Sequence, residues 1–127
     1  MNFEENFARR HPNGVEKQGG LIFIAVEISR EFIDDAEHQG IGILGMDGFL
    51  IGEFTYPALG RIADFSTDGN DSRSDFVAWS CGQARALLAG PWRSPPTGEA
   101  DQIHPGAAGR YMIDFVLTDR SDADAHV

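Results

Sequence analysis

The chain reads as an α+β fold: a mostly antiparallel sheet of four to five strands with one main helix, about residues 75–89, packed on one face. Three observations predict it. Leu21 to Val26 is an unbroken apolar run, rich in branched and aromatic residues, as in a strand buried on both faces. Asp47-Gly48 lies between two apolar runs, the short-range signature of a β-hairpin. Val77, Cys81, Ala84 and Leu88 recur at spacings of four, three and four, the period of an amphipathic helix. The order of these elements is not the regular alternation of a parallel α/β protein.

Residues 2–10 are expected to form a short helix with Phe3 and Phe7 on one face. His11-Pro12-Asn13-Gly14 and Gly19-Gly20 are breaks. Leu21 to Ile28 is expected as a central strand. Ser29 is placed to cap a short acidic helix over 30–38, with Phe32, Ile33 and Ala36 facing the core and Gln39-Gly40 ending it. Residues 41–45 and 49–54 become the two arms of a hairpin turning at Met46-Asp47-Gly48. Gly42, Gly45 and Gly52 inside those arms mark bulges or close backbone approach. Tyr56-Pro57 interrupts the pattern, and Arg61 to Phe65 alternates as a further strand. Residues 66–74 read as a polar loop. Ser74 is placed to cap the main helix, whose stripe also takes in Phe76, Ser80 and Leu87, and Gly90-Pro91 ends it. Residues 93–109 form a long loop. Residues 110–118 form a strand with Tyr111, Ile113, Phe115 and Leu117 on one face and Met112 and Val116 on the other. Residues 1–118 are thus expected as one globular domain, and 119–127 as a disordered acidic tail.

Acidic residues concentrate in one stretch. Residues 27–75 hold eleven carboxylates against Arg30, Arg61 and Arg73, a local charge of −8 out of −10 for the chain. A field of that sign repels nucleic acid and favours encounter with a basic partner. Nine of the ten cations are arginine, the residue best suited to fixed, bidentate pairing with carboxylates. A length of 127 residues buries enough surface to fold without a metal or disulfide, and Cys81 is the sole cysteine. The longest apolar run is too short to cross a bilayer, and Met1 to Glu5 has no cationic start. The expected location is the cytoplasm, without membrane attachment.

No motif carries a cofactor or a metal. Gly40-Ile41-Gly42-Ile43-Leu44-Gly45 has the spacing of a dinucleotide loop, but no helix is expected after it to receive a pyrophosphate. Asp68 to Asp75 resembles a calcium loop until counted: the sixth position is Arg73 and the twelfth is Trp79, where glycine and glutamate belong. His38 follows Asp34, Asp35 and Glu37, yet no other histidine has ligand spacing with it, and Asp34 four residues before it is a natural surface partner. Cys81 sits on the apolar stripe as a small buried hydrophobe rather than a nucleophile.

The expected function is that of a small acidic binding protein, an inhibitor or immunity-type protein that neutralises a basic protein partner. Asp34, Asp35, Glu37, Asp47, Asp68 and Asp71 would form its acidic rim and Trp92 an aromatic anchor. Two alternatives stand beside it. One is a small enzyme or ligand-binding protein with a site where the glycine-rich hairpin meets the loop carrying His104. The other is a structural subunit of an oligomer, a homo-oligomer among the possibilities.

Overall fold

The computed structural model describes residues 2–66, 73–95 and 109–118. Three helices and five strands follow in the order α1 (Phe3–Arg10), β1 (Val15–Gln18), β2 (Leu21–Ala25), α2 (Val26–His38), β3 (Ile43–Ile51), β4 (Thr55–Asp64), α3 (Arg73–Ala89) and β5 (Arg110–Leu117). The strands form one antiparallel sheet of order β1-β2-β5-β3-β4, and the fold is α+β. The last strand enters the centre of the sheet, between the two hairpins.

α1 begins where the Asn2 side chain accepts the Glu5 N–H at 2.8 Å, satisfying one of the free donors of a helix start. Gly19-Gly20, at φ 57° and 84°, closes β1 onto β2 in a two-residue turn that only positive-φ residues allow. β1 was not anticipated, because Val-Glu-Lys-Gln is an edge strand with two exposed residues and shows no apolar alternation.

Three local expectations are corrected. The strand from Leu21 stops at Ala25, and Val26 already opens α2. Ser29 is therefore not a cap. It lies one turn inside the helix, fully buried, and its hydroxyl donates to the Ala25 carbonyl at 2.9 Å. Starting the helix there sets Val26, Ile28, Phe32, Ile33 and Ala36 against the sheet. Secondly, Asp47-Gly48 is no turn. β3 passes straight through it, and the hairpin bends at 52–54. Gly48 is needed for space: a Cβ there would lie 2.7 Å from Cβ of Arg61 and 3.1 Å from the Tyr111 ring. The register of β3 against β4 shifts at this point. Thirdly, Tyr56-Pro57 does not interrupt a strand. β4 is the outer strand of the sheet, where a residue without N–H is tolerated.

The core lies between the helices and one face of the sheet. Phe32 is its centre, edge-on to Phe7, 5.1 Å from the Phe3 ring and stacked on Phe115. From α3, Val77, Cys81 and Ala84 are buried in the same cluster, with Leu87 and Leu88 packed against it. Burying a side chain of this kind contributes roughly 1.5–3 kcal/mol. Ser80, also buried, donates to the Val77 carbonyl and accepts the Ile43 N–H at 3.0 Å, so α3 is hydrogen-bonded to β3 as well as packed on it. α2 and α3 pack against each other above the sheet.

A smaller cluster of Phe23, Ala25, Ile51 and Met112, with Ile28 and Phe49 beside it, occupies the opposite face. Among the described residues no helix covers it beyond Ile28. The sheet covers it by curling. Phe23 on β2 and Phe49 on β3 meet at 5.2 Å across the intervening β5, and Thr55 Oγ1 of β4 donates to Gln18 Oε1 of β1 at 2.6 Å. The two outermost strands thus touch at one corner of the concave face.

Candidate functional site

The concave face has a closed end and an open end. Cross-strand partners in an antiparallel sheet point to the same side, so the register lists each row of neighbours. One row is Ala25, Met112, Phe49 and Pro57, the closed apolar end. The next is Glu16, Phe23, Asp114, Asp47 and Ile62. Beyond it stand Leu21, Val116 and Asp64. Ile62 is 75% exposed, and Leu21 and Val116 are each 47% exposed. Three apolar side chains therefore reach solvent around a group of carboxylates.

Asp47 and Asp114 face each other directly across β3 and β5. Like charges in that position repel. Burial pushes both carboxyls above their ordinary range, and the charge of Asp47 adds to the rise at Asp114. Burial, then the charge of Asp114, raises Glu4 of α1 as well. Among the described residues no ion pair joins either to a cation. Asp64 differs: Ser66 donates to it from both its hydroxyl and its N–H, which holds its carboxyl low.

The acidic residues of α2 have the opposite surroundings. Glu27 pairs with Arg110 at 3.1 Å, Glu31 with His11 at 2.6 Å, Asp34 with Arg85 at 2.7 Å, Asp35 with Arg10 at 2.9 Å, and Glu37 also with Arg85. Hydrogen bonding and the charges of Glu37 and Asp34 raise Arg85 against the opposing effect of its burial. These pairs tie α2 to α1, α3 and β5. They form a fastening seam along the helix.

The predicted site residues are accordingly scattered. Asp34, Asp35 and Glu37 lie on α2, over the helix-covered side, and Asp47 lies on the concave side, so the four do not make one patch. Asp34 takes Arg85 and not His38. Trp92 is 4% exposed and is no surface anchor: its carbonyl accepts the Tyr111 hydroxyl at 3.0 Å and its N–H donates to Leu87. Asp68, Asp71 and His104 lie outside the described residues. Gly40 ends α2 at φ 74°, and a strand follows Gly42, so the glycine spacing has no phosphate-binding helix. Cys81 is fully buried, its thiol pushed up to about 11, first by burial and then by the charge of Glu37. Among the described residues no three His, Cys, Asp or Glu groups are placed to hold a metal, and no helix is long and apolar enough to cross a membrane.

Asp114 and the exposed trio Leu21, Ile62 and Val116 were not foreseen as site residues. Asp114 between Ile113 and Phe115 was a readable signal, since a carboxylate in a strand that is apolar on both faces calls for a reason. Comparison with protein-family models, with curated proteins and with solved structures found no match to this chain.

Proposed function

We propose that this chain is a small acidic binding protein that neutralises a basic protein partner, seated on the open end of the concave sheet face. The observation that carries the reading is the Asp47–Asp114 opposition beside three exposed apolar side chains. Two ionised carboxylates held together without a cation cost folding free energy. A lysine or arginine of a partner placed between them removes that cost, so the interaction is stronger in the complex than the same charges would give on open surface. Leu21, Ile62 and Val116 supply apolar contact around it, the arrangement of a central anchor within a supporting ring. The net charge of −10 speeds encounter. The α2 carboxylates contribute to that field at range, and their own close contacts are already made.

The test is affinity capture from the native host at low and high salt, with the parent chain, with Asp47→Asn/Asp114→Asn, and with Ile62→Asp. The expected result is a basic protein captured by the parent and lost with both variants, with salt slowing its association. Capture of the same proteins by all three, or capture of acidic proteins only, removes the reading.

A further inference from the structure

A second surface, on the other side of the molecule, has the opposite charge. β1 ends the sheet; its outward backbone groups carry no hydrogen bond among the described residues, and β4 touches it only through the Gln18 side chain, which accepts from Thr55. The Ala25 N–H donates to the Gly14 carbonyl at 2.8 Å, which sets the phase of the ladder. Gly14, Glu16 and Gln18 turn their backbone groups toward β2, and Val15 and Lys17 turn theirs outward. The side chains of Val15 and Lys17 point to the helix-covered face, as do those of their partners Ile24 and Ile22. There, with Glu5, Ala8, Arg9 and Pro12, they line an open groove of about 410 Å³ between α1 and β1. Ala8, Pro12 and Val15 form its apolar floor. Arg9 and Lys17 bring two cations against the one carboxylate of Glu5. Arg10, Arg85 and Arg110 are all engaged with carboxylates, whereas neither Arg9 nor Lys17 enters an ion pair among the described residues.

The geometry points to a strand-addition site for an extended acidic peptide segment. The segment pairs with the outward N–H and C=O groups of Val15 and Lys17 and sets a carboxylate side chain between Arg9 and Lys17. Main-chain bonds supply the affinity of such a contact, and alternate side chains supply its selectivity. A neighbouring strand places its side chains beside those of Val15 and Lys17 on the same face, where the groove lies. The chain as a whole repels an acidic segment, but at physiological ionic strength that field fades over about 8 Å, and the local cations decide. A lysine on a short edge strand also discourages indiscriminate pairing, so the same residue that rejects a neutral or basic strand admits an acidic one.

The experiment uses the full chain and two capped synthetic seven-residue peptides, one alternating valine with glutamate and one alternating valine with lysine. The glutamate peptide is expected to shift the Val15 and Lys17 amide resonances and slow their hydrogen exchange, and the lysine peptide to leave both unchanged. Arg9→Glu/Lys17→Glu is expected to weaken the glutamate peptide about tenfold. Lys17→Pro removes an N–H that β2 does not use, so the hairpin is retained while binding is lost. Arg9→Met/Lys17→Met keeps every backbone donor and gives an intermediate loss, which serves if the proline variant does not fold. The proposal is overturned by an equal response to both peptides, by no change at Val15 and Lys17, by a folded Lys17→Pro that binds like the parent, or by unchanged binding in the methionine variant.

Discussion

On α2 every carboxylate meets a basic side chain; on the concave face of the sheet Asp47 and Asp114 meet each other. Both groups come from the same strongly acidic chain, and net charge alone does not distinguish them. The difference shows that a run of acidic residues need not form a single acidic surface. The α2 charges are matched from three neighbouring elements and hold the helix in place. The two sheet carboxylates are held together by strand register, in a partly buried position, with no cation paired to either among the described residues. The first arrangement fastens the helix to its neighbours, and the second sets two like charges against each other, the feature on which the proposed binding of a basic partner rests.

The contrast between the two faces can be broken most strongly at the helix-covered core. Phe32→Ala removes the ring on which Phe3, Phe7 and Phe115 converge, and should cost about 3–5 kcal/mol in chemical denaturation. Next is Gly48→Ala, which forces a Cβ against Arg61 and Tyr111 at the point where the concave row is set. It should cost about 1–3 kcal/mol by the same measurement, and a neutral result would mean that β3 and β4 are not held closely there.

Arg85→Ala leaves Asp34 and Glu37 unpaired and should cost about 1 kcal/mol, the partial exposure of these groups allowing water to screen the loss. The effect should shrink in high salt. Asp114→Asn acts in the opposite direction. It removes a like-charge contact without changing shape and should stabilise the chain at neutral pH by up to about 1 kcal/mol. The sign follows from protonation. Glu4, Asp47 and Asp114 have folded-state pKa values raised above the unfolded ones, so the folded chain binds more protons in that window. Their contribution to stability is fully present below about pH 4, near the unfolded carboxyl values, and is lost as the pH rises through the raised folded values. Denaturation midpoints measured from pH 4 to 7 should therefore fall less in Asp114→Asn than in the parent.

Much of the fold was legible. The stripe from Val77 to Leu88 is a helix whose Cys81 and Ala84 are buried, because helical spacing alone places them on one side. The alternation from Tyr111 to Leu117 correctly separated the two faces of β5. The failures share a cause. Asp47-Gly48 has the chemistry of a turn, but its glycine is there because Arg61 and Tyr111, distant in sequence, pack against it. Val26 and Ile28 have the branched side chains of a strand, yet they begin a helix whose apolar face is needed over the sheet. In each case a local preference of a few tenths to about 1 kcal/mol yielded to packing.

The sequence by itself determined the class of fold, the sign of the charge and the apolar faces of α1, α3 and β5, since these depend on composition and on spacing within one element. Tertiary structure alone decided which carboxylates are matched and which oppose each other. Charge pairing depends on neighbours brought together from separate elements: Asp34 and Arg85 are 51 residues apart, and Asp47 meets Asp114 only because the last strand enters the middle of the sheet.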